Sequence, residues 1–194
     1  EMYQHPNYDS WWQARNARSG LFDVKPAMLW VGGLFDAEDL FGAWNTFKAT
    51  EIQSPETNNK IVMGPWYHGQ WVRGNGTYLG NVRFGKTTSL FFQDSILIPF
   101  YNHYLLDGPD PGLSKATIFF TGENNWKRFE QWPPKNVEET NLYLYDNFLL
   151  IPDKTPTGKN SYDQYESDPA HPVPYTQDIH FKRTREYMTD DQRF

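Results

Sequence analysis

The stretch Trp30 to Ala43, WVGGLFDAEDLFGA, places three carboxylates within four residues: Asp36, Glu38 and Asp39. A second stretch, MGPWYHGQW, carries His68 five residues beyond Met63. Each lies just past a short apolar run. An acid that accepts from one imidazole nitrogen fixes the ring's tautomer and stabilises the imidazolium that forms. The other nitrogen can then take a proton from a hydroxyl nucleophile and return it to a leaving group. Structural duties compete for both residues. Asp36 would serve equally as a helix N-cap, with Asp39 three residues on completing a box-like arrangement. His68 would serve as a loop histidine bonded to nearby backbone, and His5, His103, His171 and His180 show that histidine is not rare in this chain.

The elements that must position this pair read as follows. YDSWWQARNAR, residues 8–18, predicts a short helix capped by Asp9 or Ser10. After Lys25-Pro26, AMLWVGGL is a continuous apolar run bounded by Pro and Gly, as in a strand buried on both faces of a parallel sheet. Leu40, Trp44 and Phe47 then fall on one helical face, ETNNK makes a polar turn, and Ile61 to Met63 is a second apolar strand stopped by Gly64-Pro65. Residues 25–63 therefore read as a βαβ unit. In an open α/β sheet the carboxyl ends of the strands form the functional edge, which is where Asp36 and His68 stand. An acid after one strand and a histidine after the next matches the tail of an α/β-hydrolase triad, whose chain order is Ser, Asp or Glu, His.

Residues 69–88 read as an irregular loop. Ser89 to Leu106 reads as a helix with Phe92, Ile96, Phe100 and Tyr104 on one side, kinked at Pro99 and ended by Asp107-Gly108. The texture changes at GPDPGLS, residues 108–114. Short strand-like runs follow (ATIFFT, NLYLYD and NFLLIP), separated by polar turns. They read as an all-β region with too few strands to close a sandwich. The expected division is residues 1–112 as the end of an α/β catalytic domain and 113–194 as an incomplete β domain, with both ends of the chain looking cut.

With 18 basic and 24 acidic side chains and no block of like charges, the chain lacks the basic face that nucleic acid or an anionic membrane would require. No run approaches the ~20 apolar residues of a membrane-spanning helix. Aromatic content is 18%, with eight Trp, which suits a lined pocket or broad packing. The absence of cysteine excludes thiolate nucleophiles, disulfides and cysteine metal sites. The D-A-E-D cluster lacks the spacing of a calcium loop, and no paired histidine stands near it for zinc. Neither a metal nor a cofactor is expected. None of the eight serines lies in a G-x-S-x-G elbow, so a triad would need a nucleophile from elsewhere in a parent polypeptide.

Four stretches carry a resemblance: WVGGLFDAEDLFGA (30–43), MGPWYHGQ (63–70), FFTGENNW (119–126) and YESDPAHPVPY (165–175). On these the chain resembles the α-amino-acid ester hydrolases, relatives of the cephalosporin acylases and of X-Pro dipeptidyl-peptidase-like and cocaine-esterase-like serine hydrolases. The resemblance implies the end of an α/β-hydrolase domain followed by the start of a jelly-roll β-sandwich. It implies Asp36 and His68 as triad acid and base, and Glu38 and Asp39 in a carboxylate cluster around a substrate's free α-ammonium group. Trp66 and Tyr67 are expected at the substrate; Trp66, Trp71 and Tyr78 either line the acyl pocket or pack the loop. The implied partners are a small ester, amide or short peptide and the rest of the parent chain with its serine, with a homo-oligomer left open. Exported relatives imply a periplasmic or secreted location. A general esterase, acylase or X-Pro dipeptidyl-peptidase is the alternative within the family. A non-catalytic β binding module is the alternative outside it, and it requires Asp36 and His68 to stand apart.

Overall fold

The structure, a computed structural model, describes residues 1–145, 149–152, 162, 164, 166–182 and 184–190. Its centre is a four-stranded sheet in the order β1 (Met28–Gly33), β2 (Asn59–Gly64), β5 (Ala116–Phe120), β6 (Asn125–Phe129). The first three strands run parallel and β6 turns back antiparallel to β5. Helix α2 (Leu40–Gln53) connects β1 to β2, the expected βαβ unit.

Both sheet faces are covered, and alternate residues divide between them. Ile61 and Met63 of β2 join Phe47 of α2, Ala116 and Ile118 in one cluster, while Val62 packs with Trp66, Phe92 and Ile96 on the opposite face. That arrangement explains why β2 and β5 read as unbroken apolar runs. β1 is less covered, because it borders the sheet among the described residues.

Asn59 ties the layers together. It accepts from Nε1 of Trp30 on β1 at 2.7 Å and donates to Oε1 of Glu51 on α2 at 2.7 Å, and Lys115 reaches the same carboxylate at 2.9 Å. Asn59→Ala would leave the Trp30 N–H and the Glu51 oxygen short of a buried partner. We expect ~1–3 kcal/mol of lost stability, read as a lower midpoint in urea unfolding.

Several elements differ from the sequence reading. The helix expected over residues 8–18 is only α1 (Ser10–Gln13), capped by Asp9, followed by a 3₁₀ turn at Ala17–Gly20. The helix expected from Ser89 is α3 (Thr88–Phe92), a π-helical turn at Gln93–Leu97, and α4 (Ile98–Leu106). Pro99 cannot donate to the carbonyl four residues back, so the kink expected there becomes a widened turn. Asp107 ends α4 in the left-handed conformation at φ 52°, and the N–H of Gly108 closes on the Asn102 carbonyl at 2.9 Å. Residues 69–88 contain a 3₁₀ turn at Gln70–Val72 and a small hairpin of β3 (Tyr78–Leu79) and β4 (Val82–Arg83).

The largest correction concerns β5 and β6. A boundary at residue 113 places both in the β domain, yet β5 pairs in parallel with β2, with Ile61 opposite Ala116 and Met63 opposite Ile118. GPDPGLS is therefore a connection into the α/β sheet. After β6, the strands among the described residues are β7 (Tyr143–Tyr145) and β8 (Leu149–Ile151), which form a separate antiparallel pair. Asn147 and Phe148 of the expected NFLLIP strand, and Tyr165 of the YESDPAHPVPY stretch, lie outside the described residues.

Candidate active site

The turns that leave β1 and β2 are bonded to each other. The N–H of Leu34 donates to the Gly64 carbonyl at 2.8 Å, and that of Phe35 to the Trp66 carbonyl at 3.1 Å. Gly33 permits the approach: a Cβ there would stand 2.1 Å from the Trp66 carbonyl oxygen. Two turns joined in this way carry their next side chains, Asp36 and His68, toward one another.

Oδ2 of Asp36 lies 2.9 Å from Nδ1 of His68. Oδ1 of Asp36 accepts from the backbone N–H of Glu38 at 2.8 Å and of Asp39 at 3.0 Å. These three donors satisfy a carboxylate whose side chain is only 2% exposed, whereas the His68 side chain is 45% exposed. A carboxylate only accepts, so Nδ1 carries the proton in this contact, and in the neutral ring Nε2 is left as the basic nitrogen. A held acid behind a partly open imidazole can orient a general base and stabilise its protonated form. The 2.9 Å contact also removes the separation that the non-catalytic reading required.

The loop that carries His68 is fixed by residues that sequence reasoning passed over. Gly69 turns the chain at φ +79°. Gln70 is buried: its Oε1 accepts from the Tyr67 N–H at 3.1 Å, and its Nε2 donates to the Tyr78 carbonyl at 2.9 Å. Its own carbonyl accepts from Ser89 Oγ at 3.0 Å. The Trp71 ring meets the imidazole edge-on at 6.0 Å. The sequence signal for Gln70 was its place directly after a glycine in a polar loop, which is too common to single out.

The remaining expected residues divide. Glu38 and Asp39 are both exposed, on the turn just past Asp36. Asp39, rather than Asp36, caps α2, accepting from the Gly42 N–H at 2.8 Å. Trp66, expected at the substrate, is instead a core residue with 0% exposure, packed on Phe92, Trp71 and Trp126, its Nε1 donating to Thr88 Oγ1 at 2.9 Å. An indole can be buried this deeply only with its N–H satisfied, and Thr88 provides that partner. Tyr67 is half-buried against the Leu79, Phe84 and Phe119 cluster and lines a cavity that also includes Tyr78. Trp71 faces a different, apolar cavity beside β1. Among the described residues there is no group of three or more His, Cys, Asp or Glu placed to hold a metal ion, and no helix long and apolar enough to cross a membrane.

Residues 1–70 match the X-Pro dipeptidyl-peptidase (S15) family, a span that includes both Asp36 and His68. The whole chain superimposes on an aminopeptidase from a marine sediment archaeon, Thaumarchaeota archaeon, with TM-score 0.81 and 35% identity over 97% of its length. The chain is similar to the X-Pro dipeptidyl-peptidase-like ester hydrolases. An α-amino acid ester hydrolase superimposes nearly as well, with TM-score 0.80 and 32% identity over 97% of the chain. Cocaine esterase from Rhodococcus sp. (strain MB1 Bresler) is 24% identical over 188 residues, 90% of this chain. In each comparison the chain spans 31% of the relative's own length. The mixed sheet-and-helix architecture of this X-Pro dipeptidyl-peptidase-like chain thus agrees with solved α/β-hydrolase relatives.

Proposed function

We propose that this chain supplies the acid, Asp36, and the base, His68, of a serine-hydrolase triad that cleaves esters or amides through an acyl-enzyme. The observation that carries the reading is the 2.9 Å contact between a buried, backbone-held carboxylate and a partly open imidazole at the carboxyl ends of adjacent parallel strands. The serine comes from polypeptide outside residues 1–194, which is the chain's first partner. The second is a small ester, amide or short peptide. Neither nucleic acid nor a membrane enters this reading, and a homo-oligomer is compatible with it. The segment after β6 opens a jelly-roll β domain, which the β7–β8 pair supports.

The finer reading is a preference for acyl groups with a free α-amine, held by Glu38 and Asp39. An ammonium among carboxylates gains charge-assisted hydrogen bonds, while an acetylated amine brings no positive charge to meet them. A general carboxylesterase, acylase or X-Pro dipeptidyl-peptidase is the second reading, favoured by the S15 match and the cocaine esterase similarity.

The deciding comparison is kcat/KM of the complete enzyme for phenylglycine methyl ester against its N-acetyl derivative. Each tenfold preference for the free amine corresponds to ~1.4 kcal/mol of ammonium recognition. Glu38→Gln with Asp39→Asn should shrink that preference by about tenfold. Asn caps helices as well as Asp, so the double variant should keep its unfolding midpoint. An unchanged preference would remove the amine reading and leave the esterase; no turnover of either ester would leave a peptidase specificity or the non-catalytic binding module.

A further inference from the structure

The loop that carries His68 also walls a cavity that the proposed chemistry does not use. Its volume is about 490 Å³, within the usual range for a small-molecule site. Tyr67, Gln70, Arg73, Asn75, Tyr78 and Arg185 line it, and among the described residues no Asp or Glu does. That is a local reversal of sign in a chain of net charge −6.

Arg185, one of the two lining cations, is set against an aromatic ring, and Arg83, outside the lining, is set against another. The guanidinium of Arg185 lies 4.3 Å over the Tyr67 ring, and that of Arg83 lies 4.6 Å over the Tyr78 ring. Stacking occupies a guanidinium's face and leaves its edge N–H groups to donate. Nη1 of Arg185 is buried and, among the described residues, has no hydrogen-bond partner. A buried guanidinium nitrogen without an acceptor is costly, and an incoming oxyanion would remove that cost. Arg73, also in the lining, is exposed, and the side chains of Gln70 and Asn75 add neutral polar groups.

We propose that this cavity binds a carboxylate. A planar two-oxygen acceptor matches the edge of a guanidinium, and the tyrosine rings supply apolar walls for the carbon attached to it. Tyr67 and Gln70 belong to the loop that carries His68, so a carboxylate held here contacts the same loop as the base. Its source is therefore a substrate whose leaving group bears the carboxylate. This assignment of source rests on the hydrolase reading; the carboxylate site itself does not.

The test compares two phenylglycine esters in the complete enzyme: that of glycolic acid, whose leaving group keeps a carboxylate, and its methyl-capped counterpart. The expected result is a wild-type preference in kcat/KM for the charged ester, reduced about tenfold or more in the Arg73→Gln/Arg185→Gln double variant. A second measurement needs no turnover. Tm in sodium acetate should exceed Tm in sodium chloride of equal ionic strength for the wild type, and the difference should vanish in the double variant. An acetate response without an ester preference keeps the carboxylate site and makes its source a free anion. An ester preference and an acetate response that are both identical in variant and wild type overturn the site, while turnover of the capped ester still supports the hydrolase. If neither ester is hydrolysed, ester cleavage falls as the proposed reaction and the acetate response decides the cavity. Should the double variant misfold, Arg73→Gln alone, on an exposed side chain, gives the same two readouts.

Discussion

Asp36→Asn in the complete enzyme should lower kcat by roughly 10⁴-fold, the order seen when a triad acid loses its charge without losing its shape. The geometry makes this substitution unusually clean. The oxygen that accepts from the Glu38 and Asp39 N–H groups remains as the amide oxygen, so the turn is kept. Only the atom facing His68 Nδ1 changes, from an acceptor to an NH₂ donor. The imidazole must then present its other tautomer, with the proton on Nε2, and it can no longer accept one from a serine. His68→Ala should cost at least as much, because it removes the base itself. KM should move far less than kcat, and urea unfolding should show similar midpoints for Asp36→Asn and wild type. A kcat within tenfold of wild type would mean that the 2.9 Å contact is structural. An equally large fall in folded yield would mean the turn, and not the chemistry, depended on the charge.

The same residues show how far local pattern reaches. β1, α2 and β2 were legible because each buries a face whose period is written in consecutive side chains, and Asp36 and His68 stood out because strand ends are positions that sequence can locate. Sheet membership was not legible for β5. Its burial on both faces comes from pairing with β2, and the register of Ile61 with Ala116 joins residues far apart in the chain. A run such as ATIFF looks alike in a sandwich and in a parallel sheet. The cap of α2 was ambiguous for a related reason: Asp36 and Asp39 both have the right chemistry, and only the point where the helix begins, at Leu40, makes Asp39 the residue that serves Gly42 while Asp36 holds the preceding turn and His68. Trp66 was misplaced because aromatic content says that rings must pack somewhere and nothing about which way each one faces.

Trp66→Ala should be the most destabilising of the substitutions considered, at ~3–5 kcal/mol. The indole has no solvent exposure and touches three other rings, with centroids at 5.4 Å to Phe92, 5.6 Å to Trp126 and 6.1 Å to Trp71. Gly64 is shaped for it, since a Cβ there would lie 2.5 Å from the indole ring. The helix α3, the β5–β6 pair and the His68 loop converge on this one side chain, so the cavity left by alanine could not collapse without moving one of them. Trp66→Phe separates the contributions. It keeps most of the packing and loses the donor to Thr88, whose hydroxyl still donates to the Gly76 carbonyl at 2.7 Å, so about 1 kcal/mol should be lost. Denaturant unfolding followed by far-ultraviolet circular dichroism would rank the two variants. The opposite pattern, little loss of stability with a raised KM for the ester, would return Trp66 to the substrate and require the loop to open further than this structure shows. The burial of the ring, together with the hydrogen bonds from Leu34 and Phe35 to the backbone on either side of Pro65, argues for the first outcome: the tryptophan holds the platform from which His68 reaches Asp36.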